Sequence, residues 1–185
     1  MVKKTLIVLA LCLPLVAFGQ DNMQGMQENM HFNGGKMVGG VGFNLSGLGT
    51  GFGANFEYGL TKHIGISPAI NIQSYSSAVS WSFTVIDAWA SYHKKLKTGF
   101  LGNFAGDPKV DSFIMAGPTF VSFKAGSESS SKIAFGFGAG ARYYINNKLS
   151  ILGEGRYRFA SFSTDHYNLA IAWYSIGVGV QYAIN

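Results

Sequence analysis

The sequence feature that most constrains the fold is a long alternation of residue types over residues 133–159. Its first half places apolar residues on one predicted face, namely Ile133, Phe135, Phe137, Ala139, Ala141, Tyr143 and Ile145. The opposite face holds Ala134, Gly136, Gly138, Gly140, Arg142 and Tyr144. A period of two over more than ten residues predicts a β-strand that is longer than most strands of soluble proteins.

The Asn-Asn-Lys stretch at residues 146–148 predicts a three-residue turn into a second strand. Tyr143 then faces Ile151, whereas a two-residue turn would bring Arg142 to the apolar face, so we reject the shorter turn. Glycines on the other face meet long charged side chains in the predicted pairs Gly140–Glu154, Gly138–Arg156 and Gly136–Arg158. An apolar outside with charge turned inward predicts a hairpin of a transmembrane β-barrel.

Residues 1–19 have the organisation of a secretory signal peptide. Lys3 and Lys4 precede an apolar run over residues 5–16, and Ala-Phe-Gly at 17–19 suits cleavage before Gln20. The run is too short for a transmembrane helix. Cys12 lies inside it after a bulky leucine, which does not fit a lipidation site. We therefore expect export and localisation in the outer membrane as a multi-pass β-barrel.

Residues 20–33 are polar and aperiodic, and we interpret them as a flexible periplasmic leader before a barrel domain at residues 34–185. Methionines and His31 in this region could suggest a soft-metal site, but low-complexity sequence explains them, and we predict no metal or cofactor. The chain is 48% hydrophobic with 25 glycines and only 12% charged residues. This composition fits a lipid-facing barrel. Without Lys3 and Lys4 of the signal peptide, the net charge of +5 becomes +3, which does not indicate a nucleic-acid-binding protein, and export excludes that role.

The remaining sequence divides into eight candidate strands, which predict an all-β, antiparallel, up-and-down transmembrane barrel. The alternating hairpin supplies the sixth and seventh strands. Pro68 and Pro118 weaken two of the others because proline donates no hydrogen bond to a sheet. The phase of residues 81–92 is ambiguous and allows a bulge over residues 85–87. The other strands are predicted at 35–45, 50–60, 64–75, 81–92, 112–124 and 169–184.

If the first strand is assumed to start in the periplasm, the aromatic residues fall at the two ends of these strands. Such rings typically form belts at the two membrane interfaces. Trp89 is the exception, since it lies within the span. The predicted belts contain Tyr58, Tyr92, Tyr143 and Tyr182 at the inner end and Tyr75, Trp81 and Trp173 at the outer end.

An eight-stranded barrel has an interior just wide enough for side chains. We predict that a polar network fills it, because isolated buried charges are costly. An alternative is a narrow polar path for ions or small solutes. The predicted inward-facing charged residues are Glu57, Arg142, Glu154, Arg156 and Arg158, accompanied by Asn55, Asn71, Gln73 and Gln181.

The longest connection, residues 93–111, is predicted on the periplasmic side. It is either a solvated loop or a docking segment for a periplasmic partner or peptidoglycan. His63 and His93 are assigned to periplasmic connections, so no histidine cluster is predicted. The other expected partners are outer-membrane lipid and, during insertion, the barrel-assembly machinery, and we expect a monomer.

A lipid-modifying enzyme is a further alternative, because Ser163, Asp165 and His166 lie near the predicted outer rim. Adjacent residues on a strand end point in alternating directions, however, whereas a catalytic triad needs convergence. We therefore predict a non-enzymatic barrel.

Three segments resemble the PorT-like outer-membrane β-barrel family of Bacteroidota. Gly-Val-Gly-Phe-Asn-Leu-Ser-Gly-Leu at residues 40–48 is similar to the opening strand of that family. Residues 56–68 are similar to its second hairpin, and residues 176–182 to its last strand. The size and plan also resemble the small OmpX-type barrels. The resemblance implies an outer-membrane barrel and, for most members, no reaction.

Overall fold

The computed structural model describes residues 32–47, 49–75, 81–94, 109–125, 128–163 and 168–184. Eight antiparallel strands close into a barrel in which each strand pairs with its sequence neighbours and the first pairs with the last. This confirms the predicted fold class. The strands are β1 (Met37–Ser46), β2 (Gly49–Gly59), β3 (Ile64–Tyr75), β4 (Trp81–His93), β5 (Val110–Ala125), β6 (Glu128–Tyr144), β7 (Leu149–Ser163) and β8 (Asn168–Ala183).

The register predicted for the β6–β7 hairpin is confirmed. Tyr143 pairs with Ile151, and the predicted glycine–charge pairs 140–154, 138–156 and 136–158 are all present. One boundary was wrong: residues 128–131, predicted as a loop, extend β6 and pair with residues 122–125 of β5. Serine-rich sequence accepts the extended backbone there because the two strands already run side by side.

Strand β4 has a single phase, and its pairing with β3 is continuous from Ile64–Tyr92 to Tyr75–Trp81. The bulge that the sequence allowed is therefore absent from this described ladder. Ile86, Ala88 and Ala90 lie on the outside, and the alternate positions Val85, Asp87, Trp89, Ser91 and His93 face the lumen and are buried. This places Trp89 inside the barrel rather than on the wall.

Pro68 and Pro118 lie on the outer wall, and each interrupts the ladder only locally. The pairing of β2 with β3 omits Pro68 but resumes in the same register, and the pairing of β4 with β5 omits Pro118 in the same way. A proline removes one donor without shifting a strand when the opposite neighbour still pairs.

The barrel has an end that carries the start of β1 and the end of β8, here called the terminal end, and an opposite far end. Tyr58, Tyr92, Tyr143 and Tyr182 lie on the outer wall near the terminal end. Most other outward positions are apolar, among them Val41, Phe52, Ile72, Ile133, Tyr174, Ile176 and Val178. No helix in the described residues is long and apolar enough to cross a bilayer.

The predicted outer aromatic belt requires a correction. Trp173 is buried at 4% exposure against Val85, Val121, Ala134 and Ala160. Trp81 shares the inward phase of β4 and packs edge-on against Phe83 and Phe123, with ring centroids 5.9 and 6.1 Å away. The side of the far end formed by β4 to β8 is apolar, so indole rings pack there instead of facing lipid. The side chain of Tyr75 lies outside the described residues.

Candidate functional site: the charged lumen

The lumen near the terminal end contains a network of charged side chains that we call the terminal cluster, formed by Glu57, Ser91, His93, Asp111 and Arg142. Arg142 is 1% exposed and lies at its centre. Its guanidinium donates to the Glu57 carboxylate and, at 3.0 Å, to Asp111 Oδ2. A third bond of 2.5 Å reaches Gln181 Oε1. A buried guanidinium with several carboxylate and amide acceptors ties strands β2, β5, β6 and β8 together across the lumen.

His93 is fully buried between two carboxylates. Its Nδ1 lies 2.9 Å from Asp111 Oδ1, and its Nε2 lies 2.8 Å from Glu57 Oε1. The ring of Phe32 stacks on it at a centroid distance of 3.6 Å and an interplanar angle of 11°. An imidazolium donates from both nitrogens, so this form satisfies both carboxylates and balances the charge of the cluster.

The terminal cluster contains serine, histidine and aspartate side chains in contact, yet its geometry is that of a closed network. Ser91 Oγ lies 3.1 Å from His93 Nε2, but it donates a 2.5 Å bond to Glu57 Oε1. A nucleophilic serine must instead give its proton to the imidazole and face a substrate. Ser91 is 2% exposed and lies beside a histidine ring that Phe32 covers.

Lys36 lies where the chain enters β1, and its ammonium is 4.9 Å from the centre of the Tyr144 ring. Partial burial is the largest cause that lowers the pKa of Lys36, and the nearby Arg142 charge lowers it further, whereas Asp111 raises it. A further amino group therefore lies at the mouth of the barrel, close enough to the terminal cluster to be affected by its charges.

A second network, here called the middle cluster, consists of Asp87, Glu154, Arg156 and Arg158. Asp87 Oδ2 accepts bonds of 2.5 Å from Arg156 and 2.6 Å from Arg158. Its other oxygen accepts from Arg158 Nε at 3.0 Å and from Thr119 Oγ1 at 2.7 Å. Arg156 also makes a two-pronged contact with Glu154, at 2.8 and 3.0 Å. Two carboxylates thus balance two guanidiniums.

Aromatic and apolar side chains separate and cover the charges. Both Arg156 and Arg158 stack over Trp89, with guanidinium carbons 5.1 and 5.3 Å from its ring centre. The indole N–H of Trp89 donates to Thr119 Oγ1 at 3.0 Å, so the ring is fixed. Cation–π contacts are strongest where water is excluded. Trp89 also belongs to a buried apolar cluster with Phe113, Met115 and Leu152, which completes this layer.

Glycines on the inner face leave the space that these side chains occupy. A Cβ at Gly140 would lie 2.6 Å from the Phe113 ring, and one at Gly177 would lie 2.5 Å from Asn44 Oδ1. On the outside, a Cβ at Gly153 or Gly155 would meet no atom within 4 Å. The inner glycines therefore leave room that neighbouring side chains occupy, as the predicted pairing of glycines with long charged residues implies.

The space that remains in the middle of the described lumen is small. A cavity of about 10 Å³ lies beside Asn44, Asn71, Glu154 and Arg156. This volume holds about one water molecule. The charged clusters and the apolar layers therefore leave little free space at this level of the described lumen.

The structure places all five predicted charged residues inside the barrel. Sequence reasoning missed Asp87, Trp89, His93 and Asp111. His93 and Asp111 were assigned to the long periplasmic connection, which is wrong: they lie within β4 and β5, and their side chains face the lumen. The spacing of Asp87, Trp89, Ser91 and His93, two residues apart, is the signal that would have found them.

Other predictions meet the limits of the described residues. Phe32, predicted in the flexible leader, is buried at 0% exposure. Residues 164–167 and the side chain of Ser163 lie outside the described part, as do residues 95–108 and residues 20–31 of the leader. Among the described side chains there is no group of three or more His, Cys, Asp or Glu residues suited to a metal ion.

Comparisons with known proteins agree with this architecture. The model of a family described as "Outer membrane protein beta-barrel domain" matches residues 9–183. A search of curated proteins finds no significant match.

Several solved structures share the fold at low sequence identity. The N-terminal β-barrel domain of Pseudomonas aeruginosa OprF is 15% identical, with 82% of this chain and 98% of that chain covered and a TM-score of 0.55. Neisserial surface protein A is 12% identical over 80% and 95%, with a TM-score of 0.58. Pseudomonas aeruginosa OprG is 11% identical over 83% and 98%, with a TM-score of 0.56.

Proposed function

The chain belongs to the outer membrane protein β-barrel domain family, and from that premise we propose that it is a non-enzymatic, non-conducting barrel with a structural or interaction role in the envelope. The observation that carries this proposal is the filled lumen. Two charge-balanced clusters span it, and the cavity beside them holds about one water molecule.

The finer parts of the proposal are supported by sequence patterns. Residues 1–19 would direct export, and the terminal end of the barrel would then face the periplasm. The three similar segments support a place in the PorT-like branch found in Bacteroidota. The lysine-containing connection between β4 and β5 would offer the periplasmic surface for a partner.

A narrow pore is the alternative that the polar lumen raises. A conducting path needs polar groups that exchange partners with a passing ion. Here Asp87 and Arg142 each bind several fixed partners, and aromatic rings cover the charged groups. These contacts support a side-chain plug that also locks the strands together.

Electrical recording of the mature chain, residues 20–185, in planar bilayers tests this proposal. We expect no stable conductance steps from protein that has folded, as judged by a heat-modifiable shift on gels, because no continuous water path crosses the clusters. Reproducible ion-selective steps from such protein would overturn the closed-lumen proposal in favour of the pore. The enzymatic alternative is tested by mass spectrometry of envelope lipids after expression, with unchanged lipids expected.

A further inference from the structure

The turn between β6 and β7 has a rigid geometry that fixes the position of a lysine at the membrane edge. The N–H groups of Ile145 and Asn146 donate to the Leu149 carbonyl oxygen at 2.9 and 3.2 Å. Asn146 Oδ1 accepts from the N–H groups of Lys148 and Leu149 at 2.9 and 2.8 Å. A side-chain oxygen that binds two backbone N–H groups is a common way to stabilise a tight turn.

An open notch of about 600 Å³ lies beside this turn. It is lined by residues 146–149 and by Tyr182, which pairs with Leu149 on the neighbouring strand. The Lys148 ammonium lies 5.9 Å from the centre of the Tyr182 ring. The notch therefore combines a positive charge, polar turn groups and an aromatic ring.

The wall directly below the notch is apolar. Ile151 and Val180 pair with each other two residues beyond the Leu149–Tyr182 pair, and both are exposed on the outside. A ligand that uses the whole surface must place an anionic group near Lys148 and hydrocarbon along Ile151 and Val180. A soluble anion or polysaccharide would contact only the first part of this surface, whereas a phospholipid contacts both.

The β2–β3 turn has the same backbone scheme but a different side chain at the position of Lys148. Leu60 and Thr61 donate to the Ile64 carbonyl oxygen at 2.8 and 3.0 Å, and Thr61 Oγ1 accepts from the N–H groups of His63 and Ile64. His63 occupies the position of Lys148, but its Nδ1 lies 3.1 Å from the His93 carbonyl oxygen. A bulky ring held against the barrel there replaces a long cation beside an open space.

We propose that the notch formed by residues 146–149 and Tyr182 binds the headgroup of an anionic glycerophospholipid. Lys148 contacts the phosphate, Tyr182 packs against the glycerol region, and the acyl chains follow Ile151 and Val180. The site rests on the proposed function only in that the barrel must be embedded in a bilayer. It does not depend on whether the lumen conducts.

Electron spin resonance with spin-labelled lipids tests this site. The full mature protein is placed in phosphatidylcholine vesicles that contain labelled phosphatidylglycerol or labelled phosphatidylcholine, and the motionally restricted fraction gives the relative affinity of each lipid. A lysine near an anionic membrane surface contributes about 1 kcal/mol, so Lys148→Glu should weaken the binding of phosphatidylglycerol at this one site by about fivefold. The excess of restricted phosphatidylglycerol over restricted phosphatidylcholine should fall accordingly. The preference should also fall with added salt.

Two variants serve as controls. Lys148→Arg keeps the charge and should keep the preference. Lys62→Glu changes a lysine on the β2–β3 turn at the same end of the barrel but outside the notch, so most of the excess of restricted phosphatidylglycerol should remain. An unchanged excess in Lys148→Glu, or an equal loss in Lys62→Glu, would overturn the site. The total restricted lipid reports bilayer insertion, so failure of the barrel proposal is recognised separately.

Discussion

Both charged clusters of the lumen neutralise buried charges, but they take their charged residues from the strands in different ways. The middle cluster takes three of its four charges from one strand, because Glu154, Arg156 and Arg158 alternate along β7. The terminal cluster draws Glu57, His93, Asp111 and Arg142 from four different strands. The middle cluster therefore depends on a single carboxylate from another strand, whereas the terminal cluster is a network with several bridges across the barrel.

The difference determines which residue is critical in each cluster. Asp87 alone neutralises Arg158 among the described ion pairs and shares Arg156 with Glu154. In the terminal cluster each carboxylate contacts both His93 and Arg142, so either cation retains a partner if one contact is lost. Loss of one partner from a buried ion pair is costly because the other charge stays buried.

The largest effect is expected for Asp87→Ala. This change leaves Arg158 and one side of Arg156 without a buried anion, so the free energy of unfolding should fall by about 3–5 kcal/mol. Equilibrium denaturant unfolding in lipid vesicles, followed by tryptophan fluorescence, measures it.

The matched control for Asp87→Ala is Glu154→Gln in the same cluster. The Glu154 side chain is also largely buried, but its arginine keeps Asp87 as an ionic partner and glutamine keeps an oxygen acceptor, so the loss should be about 1 kcal/mol. Equal losses in the two variants would contradict the central role of Asp87.

A smaller effect is expected for His93→Gln in the terminal cluster. Glutamine can donate to one of the two carboxylates, but it presents a carbonyl oxygen instead of a donor to the other and lacks the positive charge, while Arg142 still contacts Glu57 and Asp111. The same unfolding measurement should show a loss of about 1–3 kcal/mol.

His63→Gln is the control for this substitution, since His63 lies on a turn and contacts only the edge of the barrel in the described structure. Its effect should stay within about 0.5 kcal/mol. A loss for His93→Gln as large as that for Asp87→Ala would show that the terminal cluster has no redundancy.

The contrast between the two clusters also explains which of their residues could be predicted from the sequence. The charges of the middle cluster on β7 were predictable because their period of two and the glycines opposite them fix both face and register. Asp87 was not, since Trp81 and Phe83 suggested an outward phase for β4. Alternation alone does not show which face of an aromatic-rich strand points into the lumen. Aromatic residues of barrels usually face the lipid, whereas Trp81 and Phe83 lie on the inward phase of β4.

The terminal cluster was only half predictable for a different reason. Glu57 and Arg142 follow long alternating stretches of β2 and β6, but His93 and Asp111 border a long polar connection. The orientation of such residues depends on the exact residue at which a strand begins or ends. Phe32 was missed because a single aromatic residue in a polar segment gives no periodic signal.

The central claim is that the apolar face of the barrel is its outside and that the charged face is enclosed. The most direct measurement is the oxygen accessibility of nitroxide labels placed one at a time along residues 151–157 of β7 in bilayers. The single cysteine, Cys12, precedes the mature chain predicted here, so each label would be unique. The account predicts high accessibility at 151, 153, 155 and 157 and low accessibility at 152, 154 and 156. A reversed alternation, or equal accessibility at all seven positions, would contradict it.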